Sequence, residues 1–191
     1  MTFVINSFFL GVGLAMDAFS VSLANGLAEP KIKVSKLLSI AGVFAFFQAL
    51  MPMFGWIIIR TLEELFGVIV KIVPFAALAL LWFIGIRMII SGIRDAKNGV
   101  SEAAAVTAGA LLVQGVATSI DALSAGLAFS EYGFLEALSS ALIIAAVTFV
   151  ICTIGVLIGK KAGSALSGKA TVVGGAILVI IGAEIFIKGI L

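Results

Sequence analysis

Two acids stand where apolar sequence surrounds them. Asp17 lies within "GLAMDAFSVSLANG" (13–26) and Asp121 within "TSIDALSAGLAFS" (118–130). An Asp at the centre of a membrane helix costs roughly 2.5–3.5 kcal/mol, so such residues ordinarily face a polar cavity or an ion path. The bland alternative is a structural Asp bonded to a neighbouring hydroxyl. Ser20 and Ser124 follow the acids by three residues and share nearly the same helix face, and Thr118 precedes Asp121 by three. Ala18, Ala24, Ala122 and Ala128 let helices approach closely. Carboxylate, hydroxyl and carbonyl oxygens together suit Mg²⁺, Ca²⁺ or Mn²⁺. Two facing carboxylates match a divalent charge, and protons can replace the ion when it leaves, which would serve proton-coupled exchange.

Three further residues could take part. Gln48 lies four residues before Pro52, whose missing N–H frees the Gln48 carbonyl; either a broken helix near a binding site or a plain proline kink follows. Arg87 and Glu184 sit at matching places in two other apolar stretches with opposite charge. An ion pair between them is one reading, but an inverted arrangement would put them on opposite sides of the midplane by roughly 5 Å each. Arg87 could instead neutralise an Asp.

The elements that must position these groups are long and apolar. Of 191 residues, 62% are hydrophobic and 12% charged, against roughly 45–50% and about 25% in soluble domains. Six stretches, about 3–28, 36–58, 74–93, 104–129, 136–159 and 171–190, are long enough to cross a bilayer. They leave no room for a soluble domain. The first is read as a membrane span and not a signal peptide, since it has no basic leader and runs too long. The lone Cys152 excludes a disulfide framework, and the absence of His removes His-based triads and the commonest ligand of zinc and copper. The first, third and fifth connections carry Lys31, Lys33, Lys36, Arg94, Lys97, Lys160, Lys161 and Lys169; the other side carries Arg60, Lys71 and Lys188. The positive-inside rule then puts both termini outside. "RTLEELFGVIVK" (60–71) reads as a short amphipathic helix in the outer interface.

The chain repeats itself. Laying Asp17 on Asp121, an offset of 104, matches "LAMDAFSVSLA" with "TSIDALSAGLA" and pairs Gly55 with Gly159. In the third and sixth spans the offset becomes 97, and "IGIRMIISGI" faces "IGAEIFIKGI". Three spans per copy is an odd number, so the second copy enters from the opposite side. The expected fold is all-α: a polytopic membrane protein with six transmembrane helices as two inverted three-helix repeats, 1–98 and 99–191, in one membrane domain. Transporters of this design hold substrate near the midplane at the repeat interface and alternate access by rocking one half on the other. "GVLIG" (155–159) reads as helix packing. "GSALSGKAT" (163–171) fails as a phosphate loop, because Ala170 replaces the Ser/Thr and no strand precedes it.

The sequence resembles the bacterial manganese efflux pump family, MntP, of the wider LysE-type transporter superfamily. The resemblance rests on "AMDAFSVSLANG", "FQALMPMFGW", "IGIRMIISG" and "ATSIDALSAGLAF" and runs over essentially the whole chain. It implies export of Mn²⁺ across the bacterial cytoplasmic membrane, with Asp17 and Asp121 as the central acids. It also points to Asn25, Gln48 and Arg87 as functional positions. Mn²⁺ is then cargo and no cofactor is expected; protons and the lipid bilayer are the other expected partners, nucleic acid is not, and a homo-oligomer is left open. The competing readings are export of another divalent cation or a small cationic metabolite and, in a different class, an intramembrane aspartic protease. Against the protease, residues 14–17 read LAMD and 118–121 read TSID, without its Gly-x-Gly-Asp context. A transporter, not an enzyme, is the expectation.

Overall fold

The computed structural model describes residues 2–61, 75, 78–79, 81–87, 89–90, 92–94, 106–129, 132–166 and 170–190. Nearly all of these are helical, and no strand occurs among them. Helix α1 spans Thr2–Ala28 and α2 spans Val34–Thr61. The helical residues between 75 and 94 are α3. Then follow α4 (Ala108–Ala117), α5 (Ile120–Ala125), a 3₁₀ turn at Gly126–Phe129, α6 (Phe134–Leu166) and α7 (Ala170–Ile190). Segments Val4–Ala28, Val34–Ile58 and Phe134–Gly163 are each long and apolar enough to cross a membrane.

The polarity of the molecule is inverted relative to a water-soluble bundle. Phe9, Phe46, Phe83, Leu135, Leu142 and Ile180 lie exposed, while Asn25, Gln48, Gln114, Thr118, Ser119 and Thr148 are buried. A hydrocarbon surround favours this arrangement, because apolar side chains cost nothing there and polar groups must find partners inside.

Glycine decides which helices touch. A Cβ on Gly159 would fall 2.2 Å from the Leu23 carbonyl oxygen, and one on Gly26 would fall 2.4 Å from that of Val156. With Gly11 against Ile144 and Gly155 against Phe19, these contacts lay α1 along α6 in parallel over most of its length. "GVLIG" does act as a packing motif. In the same way a Cβ on Gly55 would meet the Leu123 carbonyl at 2.2 Å, and Gly126 packs on Gly55, so α2 runs parallel to α4 and α5. Gly85 and Gly175 press α3 on α7; with Phe75 against Phe186 and the Trp82 indole donating to the Val179 carbonyl at 3.0 Å, that pair is antiparallel.

The turn between α1 and α2 is made by Pro30, with Ile32 N–H donating to the Glu29 carbonyl at 3.0 Å. Glu29 pairs with Lys36 and accepts from the Val106 N–H at 3.3 Å, while Lys160 donates to the Ile32 carbonyl at 3.1 Å. These contacts tie the turn to α6 and to the start of α4.

Two expectations change here. The fourth stretch, 104–129, is not one helix: it stops at Ala117, turns at Thr118 and Ser119, and restarts at Ile120. The second stretch, where Pro52 raised a broken helix, runs unbroken from Val34 to Thr61. Proline removes one bond and leaves the helix otherwise intact, whereas at Ser119 the N–H turns back to the Val116 carbonyl and the i−4 ladder of α4 stops. In addition, α6 continues through Lys160 and Lys161 to Leu166, beyond the expected end near 159. Of the amphipathic segment 60–71, Arg60 and Thr61 close α2 and the rest lies outside the described residues.

Candidate functional site

The break in the fourth stretch is visible in its local hydrogen bonds. The Thr118 hydroxyl donates to the Gln114 carbonyl at 2.8 Å, which also accepts the Thr118 N–H at 2.9 Å. The Ser119 N–H then reaches back only three residues, to the Val116 carbonyl at 3.1 Å, tightening the last turn. Ser119 takes φ −110° and ψ 15°, outside the helical basin, and the chain restarts with Asp121 in the first turn of α5. Asp121 Oδ1 accepts the Ala122 N–H at 2.8 Å, so the acid carries part of the restart.

Gln48 spans the gap between the two acid-bearing segments. Its Nε2 donates to the Leu14 carbonyl and to the Thr118 carbonyl, each at 3.0 Å. Carbonyls cannot donate, so this end of the amide is the NH₂ and the oxygen faces elsewhere. Leu14 and Thr118 stand three residues before Asp17 and Asp121, and they are the same position under the 104-residue offset. Two equivalent points of the sequence thus come within about 6 Å of each other, held by one side chain.

The remaining expected residues divide by depth. Asn25 Nδ2 donates to Gln114 Oε1 at 2.8 Å, and both amides are buried. Asn25 lies eleven residues beyond Leu14 in α1, about 16 Å along the axis. It forms a second polar layer toward the Ala28 end. Asp17 is partly buried between fully buried Ala15 and Ala18, and Asp121 is exposed. Ser20 donates to the Met16 carbonyl at 3.1 Å, which leaves its lone pairs as acceptors; Ser124 is partly buried. Arg87 and Glu184 both occupy exposed positions on α3 and α7. Gln114, Ser119 and Thr148 are buried polar groups that reading the sequence passed over. An amide in an apolar stretch flags Gln114 as it flagged Gln48, whereas nothing in the sequence separates Thr148 from Thr153.

Among the described residues no group of three or more Asp, Glu or Cys converges. A divalent ion held here would need neutral oxygens beside the aspartates, a donor set that fits a hard, oxygen-liganded cation.

Comparison with known proteins bears on what that ion is. The profile of the family described as "Putative manganese efflux pump" matches residues 31–186. The chain belongs to this family. It is 38% identical to the "Putative manganese efflux pump MntP 2" of Clostridium botulinum strain Hall, over 97% of this chain and 94% of that relative. It is 40% identical to the "Putative manganese efflux pump MntP" of Ruminiclostridium cellulolyticum over 94% and 93%, and 35% identical to that of Clostridium perfringens strain SM101 over 93% and 91%. No solved structure matches the chain. The profile match begins after α1, but the full-length relatives align through it, so the Asp17 helix falls inside the likeness.

Proposed function

We propose that this protein is a secondary transporter that exports Mn²⁺ from the bacterial cytoplasm, with Asp17 and Asp121 as the charged ligands of one central ion. The observation that carries the reading is the pair of hydrogen bonds donated by Gln48, which join the carbonyls one turn before each acid. Helical side chains lean toward the N-terminus of their own helix. Asp17 and Asp121 therefore lean back toward the level of Leu14 and Thr118, from opposite directions. Gln48 is a positioning residue in this site, and Thr118, Ser20 and Ser124 supply neutral oxygens. Asn25 lines the path toward the Ala28 end. Two carboxylates balance the ion's charge and take up protons in exchange when it departs.

The inverted-repeat reading is supported by which helices pair. Exchanging α1 with α4 and α5, α2 with α6, and α3 with α7 turns the α1·α6 contact into the α2·α5 contact and returns α3·α7 to itself. The basic connections place both termini outside. Alternating access then moves two bodies, each drawn from both halves: α1 with α6, and α2 with α4 and α5. Backbone contacts at glycine close each pair, while the packing of α2 on α6 and hydrogen bonds such as Asn25–Gln114 form the surface along which one body moves on the other. Arg87 and Glu184 stand at exposed positions on α3 and α7, and in this reading they set the charge of that helix pair.

The test is Mn²⁺ flux in reconstituted vesicles. Asp17→Asn and Asp121→Asn each abolish it while the protein stays folded and inserted. Undiminished flux in either variant would make that Asp structural and remove the shared site. A wild type that moves Mg²⁺ or Ca²⁺ but not Mn²⁺ would keep the site and change the cargo.

A further inference from the structure

Two buried hydroxyls behave unlike their neighbours. Ser20, Ser39, Thr118, Ser139 and Thr153 each donate to the carbonyl four residues back, at 3.1, 2.9, 2.8, 2.7 and 2.7 Å. That is how a hydroxyl is satisfied within a helix. Ser22 has the Cys152 thiol beside it. The Thr148 hydroxyl, fully buried in α6, makes no hydrogen bond with the protein. Neither does the Ser119 hydroxyl, although Ser119 holds the N-cap position of α5, where a serine oxygen ordinarily accepts a backbone N–H. Two buried amide oxygens are likewise without a protein partner: Asn25 Oδ1, in the separate layer it shares with Gln114, and Gln48 Oε1, whose orientation is settled by the two carbonyls that hold its NH₂.

The helix register sets Gln48, Ser119 and Thr148 at one depth. Ser7 bonds Ser140 at 2.9 Å, Gly11 packs on Ile144 and Val147, and Gly155 packs on Phe19, so residues near 148 in α6 stand beside Leu14 in α1. Gln48 bonds Leu14, and Ser119 follows the Thr118 carbonyl that Gln48 also holds. Helix α6 packs on both α1 and α2, and Thr148 is fully buried in it at this depth. All three oxygens are neutral and cannot take up a proton near pH 7, so a proton cannot be their ligand. The C-terminal end of α4 adds the partial negative charge of its last carbonyls. Interrupted membrane helices present such ends and unwound carbonyls to monovalent cations.

We propose that Gln48 Oε1, Ser119 Oγ and Thr148 Oγ1, with the C-terminal end of α4, form a sodium subsite about one turn from the Asp pair. The inference rests on the transporter reading above and adds a driving ion to it. Two cations held this close repel each other, so Na⁺ entering the subsite favours release of the divalent ion, and a sodium gradient drives its export.

The experiment follows Mn²⁺ movement in vesicles reconstituted with the full chain, against an opposing gradient of NaCl or of choline chloride at equal ionic strength. Sodium is expected to accelerate flux severalfold. Ser119→Ala and the isosteric Thr148→Val are expected to raise the sodium concentration for half-maximal effect by about tenfold or more, leaving the Mn²⁺ dependence at saturating sodium unchanged. Equal flux in sodium and choline, or a sodium response untouched by both variants, overturns the subsite and leaves the hydroxyls with water alone. If the wild type moves no Mn²⁺ in either salt, the manganese reading fails first. Radioactive sodium binding to the purified protein then decides the subsite by itself: binding lost in Ser119→Ala sustains it, and absence of binding in the wild type ends it.

Discussion

Gln48 shows how much one side chain can hold. Its NH₂ satisfies the carbonyl left open at Thr118 and a second at Leu14, so it joins α1, α2 and the break between α4 and α5. Replacing it by a residue of similar volume without donors, Gln48→Leu, keeps the packing and removes both bonds. The expected cost is about 1–3 kcal/mol of stability, read as an earlier thermal unfolding in detergent, together with loss of Mn²⁺ flux in vesicles. Full flux in Gln48→Leu would show that the two acid-bearing segments are held in register by other means. Asp17 was legible from the sequence because a carboxylate is conspicuous in apolar surroundings. The role of Gln48 was not, because which carbonyls an amide reaches depends on residues 34 and 70 positions away.

At the scale of the helix, glycines divide by what faces them. Gly159 and Gly55 have backbone carbonyls 2.2 Å from where a Cβ would stand, whereas Gly42 has nothing within 4 Å. Gly159→Ala should therefore force α1 and α6 apart at a cost of about 1–3 kcal/mol or more. Gly42→Ala in α2 should instead stabilise by about 0.5–1 kcal/mol, since alanine restricts the unfolded chain and meets no obstacle. Thermal unfolding of the two variants checks both signs, and a harmless Gly159→Ala would contradict the close approach. The break at Thr118 and Ser119 belongs to this scale as well. "TSID" offered three polar residues within four positions, a hint the hydrophobicity of 104–129 concealed. Hydropathy measures transfer to lipid and carries no information on whether the backbone bonds continue.

For the whole molecule the proposed transport cycle predicts which parts move together, α1 with α6 and α2 with α4 and α5. Ser7 and Ser140 belong to different sequence halves but to one welded pair, α1 with α6. Glu29 and Val106 also belong to different halves, and join the two bodies at the Ala28 end. In a Cys152→Ala background, linking Ser7→Cys to Ser140→Cys with a short thiol cross-linker should spare Mn²⁺ flux. Linking Glu29→Cys to Val106→Cys should stop it, with recovery on cleaving the linker. If the sequence halves themselves were the rigid units, the first link would stop transport too.

Composition and hydropathy alone determined the all-helical membrane character, three helices of membrane length and the presence of the two acids, because burial of apolar length and the cost of a charge in hydrocarbon are properties of the residues themselves. The offset of 104 exposed the equivalence of Leu14 and Thr118 without saying that they meet. Tertiary structure decided that meeting, the interruption after Ala117, the pairing of α1 with α6 in place of its hairpin neighbour, and the depth of Asn25, Ser119 and Thr148. Each of these depends on backbones approaching closely at glycine and on hydrogen bonds between residues far apart in the chain, and neither is a property of any one stretch.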